Sequence, residues 1–285
     1  MKGVKLKTFT LIYLIIVTIC VFFVMIFQSF IKANIGLVVV IVFLAAIPVA
    51  VLTLKIMIKI EMSKPFAKLH QEFMDELWTN GFTQKFLDLG NQAIEAKKNG
   101  ENIDLAYLTD FVFYLSDFYN LTEQFDKSLP ILSVIDEKDM ISRSTKFLVG
   151  GYYIVMFYAL LMEAYRGTKN KEMAQQLIEK GRPYLDKKYK LDAISMVADT
   201  VVYDYYMLFE NYEMAKRAVD KLMSYKSQQA DKFYTKYFAA AEINMVLGNR
   251  QGAQAIMDQC KRNMGEQMAV VNQSFEIFRR RLGII

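Results

Sequence analysis

From residue 8 to residue 60 the chain is almost continuously apolar, and past residue 62 apolar positions instead recur every three or four residues. The first pattern has no polar face. The stretch "LIYLIIVTICVFFVMIF" at 11–27 belongs to a run, 8–31, that exceeds the ~20 residues a bilayer core requires. A second run, 35–58, meets its first charge only at Lys55. Both are hydrophobic all round, unlike an amphipathic surface helix. Two uncleaved spans are predicted, because the first run is too long for a secretory core, no small-x-small site follows it, and another span comes at once. Pro48 predicts a kink in the second span, which membrane helices tolerate. Lys2, Lys5 and Lys7 precede the hairpin, Lys55, Lys59, Lys64 and Lys68 close or follow it, and only Lys32 lies in its loop. The excess of cytoplasmic lysine therefore predicts a multi-pass cell-membrane (inner or plasma membrane) protein with both termini in the cytoplasm. Residues 1–62 are expected to be the anchor, touching lipid through 8–58, and residues 63–285 the cytoplasmic domain.

The second pattern predicts helices throughout, with no strand alternation. Candidate helices pair across Asn80, Asn120, Asn170, Asn211 and Asn249, which stand 40, 50, 41 and 38 residues apart. Periods of ~34–47 residues built from two helices mark an α-solenoid. The longest gap holds "DEKDMISRSTK" (136–146), read as an insertion or a short extra helix. Three segments also match one another locally: "NKEMAQQLIEK" (170–180), "NYEMAKRAVDK" (211–221) and "NRQGAQAIMDQ" (249–259). Asn170, Asn211 and Asn249 are expected to take the left-handed conformation of a tight turn, which Asn tolerates. Glu172 and Glu213 fall in the first turn of the next helix, where negative charge complements the dipole. Ala174, Ala215 and Ala253 are small where antiparallel helices pack closely.

On these segments, above all "NYEMAKRAVDKL", residues 66–265 resemble the tetratricopeptide repeat family. The family's Trp, Leu-Gly and Tyr pattern in the first helix of each pair has no counterpart, and the spacings exceed the family's ~34 residues. The resemblance implies about five stacked helix pairs whose concave face, lined by first helices, binds a peptide or partner protein, and it implies no enzymatic activity. The segment "MGEQMAVVNQSFEIFRRRL" (264–282) is then a capping helix over the last apolar face.

Charge narrows the partner further. The net charge is +5, yet six lysines and no acid occupy residues 1–60, so the remainder is nearly neutral. A domain without a surplus of Lys and Arg is not expected to bind nucleic acid. The two cysteines, Cys20 and Cys260, sit in contexts that do not suit a disulfide framework.

Aromatic residues crowd the first helices. Tyr153 and Phe157 have spacings suited to packing between helices, which leaves Tyr152, Tyr205, Tyr234 and Tyr237 as candidate partner-binding residues. His70, the single histidine, has no second His or paired Cys to complete a metal set and is read as solvent-facing. Asp104 and Asp110, and Asp199 and Asp204, lack the three- or four-residue spacing of a carboxylate pair on one helix face and are read as solvated. Gly150 and Gly151 lack the Lys-Ser/Thr of a phosphate loop, and their expected role is close helix packing. Arg279, Arg280 and Arg281 are read as a solvated helix end, favourable to the dipole. No catalytic residue, cofactor or metal is expected. The function that follows is a membrane-anchored, non-catalytic scaffold or adaptor. The alternative, an accessory subunit of a membrane enzyme or transport complex or a cryptic enzyme, predicts mutually close buried ionisable groups in the solenoid cup.

Overall fold

In the computed structural model, which describes residues 18, 47–48, 51–53, 64–146, 151–226, 233–264 and 268–284, every regular element is an α-helix. The chain divides into two units, Met1–Lys68 and Leu69–Ile285. Within the first, the described residues 18, 47–48 and 51–53 are helical, and Ile47, Val51 and Leu52 are exposed. The rest of the two predicted spans lies outside the described residues, and no described helix is long and apolar enough to cross a membrane.

From residue 67 the helices run α1 (Ala67–Asn80), α2 (Gln84–Lys98), α3 (Leu105–Leu121), α4 (Phe125–Leu132), α5 (Glu137–Lys146) and α6 (Tyr152–Gly167). They continue with α7 (Lys171–Leu185), α8 (Asp192–Leu208), α9 (Tyr212–Ser224), α10 (Tyr234–Val246), α11 (Arg250–Met264) and α12 (Ala269–Arg281). Consecutive helices pair as α3 with α4, α6 with α7, α8 with α9 and α10 with α11, and the first helices α6, α8 and α10 also pack in series. This is a solenoid-like stack compatible with tetratricopeptide-like repeats. The inserted segment is α5.

The turn inside each pair is built differently from the sequence expectation. Asn170 and Asn211 have φ of −84° and −87° and are helix N-caps, their side chains accepting from Met173 N and Met214 N. Asn249 likewise accepts from Gly252 N at 3.0 Å. The left-handed residue is the one before the cap: Lys169 (φ 55°), Glu210 (φ 58°) and Gly248 (φ 77°). An amide three residues past the first helix closes the motif, as in Asn211 N to Tyr206 O at 2.9 Å. An Asn oxygen satisfies an orphan N–H of the next helix, and a cap keeps non-helical dihedrals, so the Asn itself is not left-handed.

Asn120 is not a turn residue. It is fully buried within α3, and its Nδ2 donates to Leu160 O of α6 at 2.9 Å. The equivalent turn is Glu123 (φ 59°) followed by Gln124, the N-cap of α4. Taken by caps, the repeat positions are Thr83, Gln124, Asn170, Asn211 and Asn249, at spacings of 41, 46, 41 and 38 residues. The long interval is the one that accommodates α5.

Ala174, Ala215 and Ala253 are completely buried, as expected for close helix approach. Around Ala215, α8, α9 and α10 share a core of Met196, Tyr203, Leu222 and Ile243. Gly151 combines φ of +99° with a position where a Cβ would meet the Tyr189 ring, so both conformation and space require glycine there.

The last helix does more than cover an apolar face. Phe275 and Phe278 of α12 join a core with Phe238, Met257 and Cys260, and the Phe238 and Phe278 rings stack at 4.2 Å. Gln273 then reaches the turn between α1 and α2, accepting from Phe82 N at 2.5 Å and donating to Asn80 O at 3.0 Å. One end of the stack is thereby tied to the other.

Candidate functional site

Closing the stack through α12 turns the concave face into a chamber of about 590 Å³. Four first helices contribute stripes at helical spacing: Asp110, Tyr114, Asp117 and Leu121 from α3; Tyr152, Met156, Glu163 and Arg166 from α6; Val197, Thr200 and Asp204 from α8; Tyr234, Phe238 and Glu242 from α10. Ser274, Phe278 and Arg281 of α12 form the remaining wall. Arg143 of α5 fixes part of the rim. It lies 3.9 Å over the Tyr153 ring, donates to the Tyr153 hydroxyl at 3.0 Å, and donates to Leu105 O and Ala106 O at the start of α3.

The acids of the chamber follow one rule. Asp117, Glu163, Asp204 and Glu242 each precede the N-cap of their pair by the same seven residues, and so does Glu76 in the first pair. Equivalent positions in a stack of repeats lie side by side, so four of these acids form a ladder along the chamber wall. Glu76 instead braces its turn, accepting from Thr83 Oγ1 at 2.7 Å.

Two arginines hold the far half of the ladder. Arg166 donates to Asp204 Oδ1 at 2.7 Å and to Glu242 Oε2 at 2.9 Å, while its second terminal nitrogen lies 2.7 Å from Glu242 Oε1. Arg281 reaches Glu242 and Glu123, each at 3.3 Å. Tyr203 donates to Glu242 Oε2 at 2.8 Å. Burial works against the Glu242 charge, yet the Arg166 and Arg281 guanidiniums and the Tyr203 hydroxyl hold it below the ordinary range. Asp204 has the same burial and only Arg166 bonded to it, and desolvation wins, so its carboxyl is raised.

The near half is different. Asp117 and Glu163 have no hydrogen-bond or ion-pair partner among the described residues. Burial pushes Asp117 up to about 6. Burial, joined by the nearby Asp204 charge, pushes Glu163 up to about 8. Tyr114, Tyr152 and Tyr234 line the same chamber, and their phenols are raised first by burial, with the Asp117 charge adding to each.

The sequence-derived candidates separate accordingly. Tyr152 and Tyr234 line the chamber. Tyr205 lies outside it, packing on Tyr206 and Phe209 with ring centroids 5.5 and 4.7 Å away. Tyr237 is 1% exposed and accepts from Asn263 Nδ2 of α11 at 2.6 Å, so it is core, on the α10 face turned toward the second helix. Asn170, Ala174, Asn211, Ala215, Asn249 and Ala253 are turn and packing devices away from the chamber.

Six residues read as surface positions need correction. Asp110 is a chamber residue paired with His70 at 2.9 Å, and His70 is stacked on Tyr107 at 4.6 Å, not solvent-facing. Asp199 is buried, bonded to Lys221 at 2.7 Å and Tyr225 at 3.0 Å on the α9 side of its helix. Asp204 is part of the ladder, and Asp104 caps α3 through Ala106 N at 2.8 Å. Arg281 turns inward, its side chain 17% exposed, whereas Arg280 remains exposed as expected. Polar residues on helices apolar by average read as isolated surface positions when only one buried face is assumed. The signal for the ladder was the acid seven residues before each turn. Among the described residues, no three His, Cys, Asp or Glu side chains are grouped to hold a metal ion.

No protein-family model, no curated protein and no solved structure matches this chain.

Proposed function

We propose that the chain is a membrane-anchored, non-catalytic scaffold whose tetratricopeptide-like solenoid takes a segment of a partner protein or peptide into the chamber between its first helices. The observation that carries this reading is the chamber itself. Its volume is in the range of specific ligand sites, and its walls combine rings with a few placed polar groups. Anchoring is supported by the two apolar runs and their lysine asymmetry, and by the exposed Ile47, Val51 and Leu52 within the second run. The scaffold would hold its partner at the cytoplasmic face of the membrane. The test is a photocrosslinking amino acid placed in turn at Tyr152, Tyr234 and Gln176 in native membranes. One partner joined from the two chamber positions and not from Gln176, an exposed residue of α7, supports the reading. Adducts from all three positions alike, or from none, overturn it.

A second reading is favoured by one observation: mutually close ionisable groups do occupy the cup, as an accessory or cryptic enzyme requires. Two carboxyls titrating at different pH in one enclosed site are the raw material of acid–base chemistry. A compound consumed from cell extract by the native chain and spared by Glu163→Gln would favour it over the scaffold.

A further inference from the structure

Two independent features converge in the near half of the chamber. One is a chamber lined by tyrosine rings, and the other is a pair of carboxyls with no bonded counter-charge among the described residues. The five chamber carboxyls Asp110, Asp117, Glu163, Asp204 and Glu242 face two guanidiniums, Arg166 and Arg281. His70 accompanies Asp110, Arg166 is bonded to Asp204 and Glu242, and Arg281 is bonded to Glu242 and Glu123. Asp117 and Glu163 are left without a bonded cation, and the Arg281 and Arg166 charges reach Glu163 only from a distance.

We propose that this half of the chamber binds an organic cation, an alkylammonium or guanidinium group, on Asp117 and Glu163 with Tyr114, Tyr152 and Tyr234 as its aromatic walls. The inference rests on the chamber being a binding site and names the chemistry it accepts. The fold contains its own example of the recognition. In the far half, an arginine occupies the same ladder, bonding Asp204 and Glu242 at 2.7–2.9 Å beside the Tyr203 ring, 5.6 Å from its carbon centre. A cation in the near half meets carboxyls at equivalent repeat positions and tyrosine faces, whose quadrupole attracts positive charge. A metal ion suits it less well, because among the described residues no three carboxylate, histidine or cysteine ligands are grouped to hold one.

The sign of the pH dependence follows from the surroundings. Glu163 faces Asp117 of α3, Asp204 of α8, Arg281 of α12 and Arg166 of its own helix. Asp117 lines the chamber with Tyr114, Tyr152 of α6 and Tyr234 of α10, and its charge acts on all three phenols. Both carboxyls are held up without a ligand, Asp117 to about 6 and Glu163 to about 8. A cation favours their ionised forms, so binding releases protons and strengthens as pH rises between these values.

The experiment is calorimetric titration of the full-length chain in detergent micelles. The probes are N-acetyl-arginine amide, its uncharged isostere N-acetyl-citrulline amide, and Gly-Ser heptapeptides with arginine or citrulline at the centre. The arginine probe is expected to bind about tenfold more tightly than the citrulline probe, the difference between charge-assisted and neutral hydrogen bonds. The preference should grow from pH 6 to pH 8 and vanish in the Asp117→Asn/Glu163→Gln double variant. Binding by the free amides alone identifies a small amine, and binding by the peptides alone identifies a basic side chain of a polypeptide. Equal affinity for arginine and citrulline, or a preference that survives in the double variant, overturns the cation and leaves peptide binding standing. Absence of heat from all four probes at both pH values overturns the cation and the binding chamber together.

Discussion

The first and second helices of each pair carry charge in opposite ways. On α9, a second helix, Glu213 with Arg217 and Lys216 with Asp220 form ion pairs four residues apart, with side chains 57–76% exposed. Between α6, α8 and α10, all first helices, Arg166, Asp204 and Glu242 are paired at 13–18% exposure. Pairs in water gain little, because solvent screens them and two long side chains must be ordered. Pairs removed from water are costly to make and costlier to break. The outer charges are solvated, and the inner ones line the chamber.

The largest expected difference comes from breaking one pair of each kind. Arg166→Ala strands Asp204 and Glu242 and is expected to cost about 3–5 kcal/mol, whereas Arg217→Ala should cost less than about 0.5 kcal/mol. Urea unfolding of the full chain, followed through Trp78 beside Tyr114, measures both. Comparable losses would end the distinction between the two faces.

Next in size is an inner substitution that stabilises. The Glu163 carboxyl is raised in the folded chain from an ordinary 4.5 to about 8. Its protonated form is therefore favoured by folding. The associated stability is complete below the unfolded value and is lost as pH rises through about 8. Glu163→Gln should then be more stable than the native chain at pH 8 by about 1–3 kcal/mol, with the gap closing toward pH 5. A residue that costs stability at the pH where it is charged is expected of a binding group, not of a packing one. A gap independent of pH would assign Glu163 to packing.

Smaller effects test the turns that set the ladder in register. Asn211→Ala removes the cap to Met214 N and should cost about 1 kcal/mol. Glu210→Gly relieves a side chain held at φ 58° and should stabilise by about 0.5–1 kcal/mol. Shifts of opposite sign at adjacent residues, read as urea midpoints, check that the left-handed position precedes the cap. Losses at both would restore the left-handed reading of Asn211.

How legible each face was follows from its chemistry. α9 and α11 bury one side, so Ala215, Val219 and Leu222, or Ala253 and Met257, stand out at helical spacing from polar neighbours. The extra helix α5 and the cap α12 announced themselves as an insertion and a terminal amphipathic segment. The first helices are apolar toward their partners and mixed toward the chamber, so no clean polar side appears. Tyr237 and Tyr234, three residues apart, look alike in sequence, yet one is core and the other lines the chamber. Arg281 and Arg280 are neighbours with the same side chain, and only the inward turn of α12 separates them.

The sequence by itself determined the all-helical class, the approximate period of the repeat, the small residues at the pair interfaces and the acid seven residues before Asn170, Asn211 and Asn249, since these depend on spacing within one or two helices. Tertiary structure alone decided that the recurring acids meet in one chamber, that Arg166 and Arg281 bond Asp204 and Glu242 but not Asp117 or Glu163, and that Gln273 closes the stack. Those contacts join residues 38 to 193 positions apart, and their geometry comes from how repeats stack. Local periodicity carries no information about such distances.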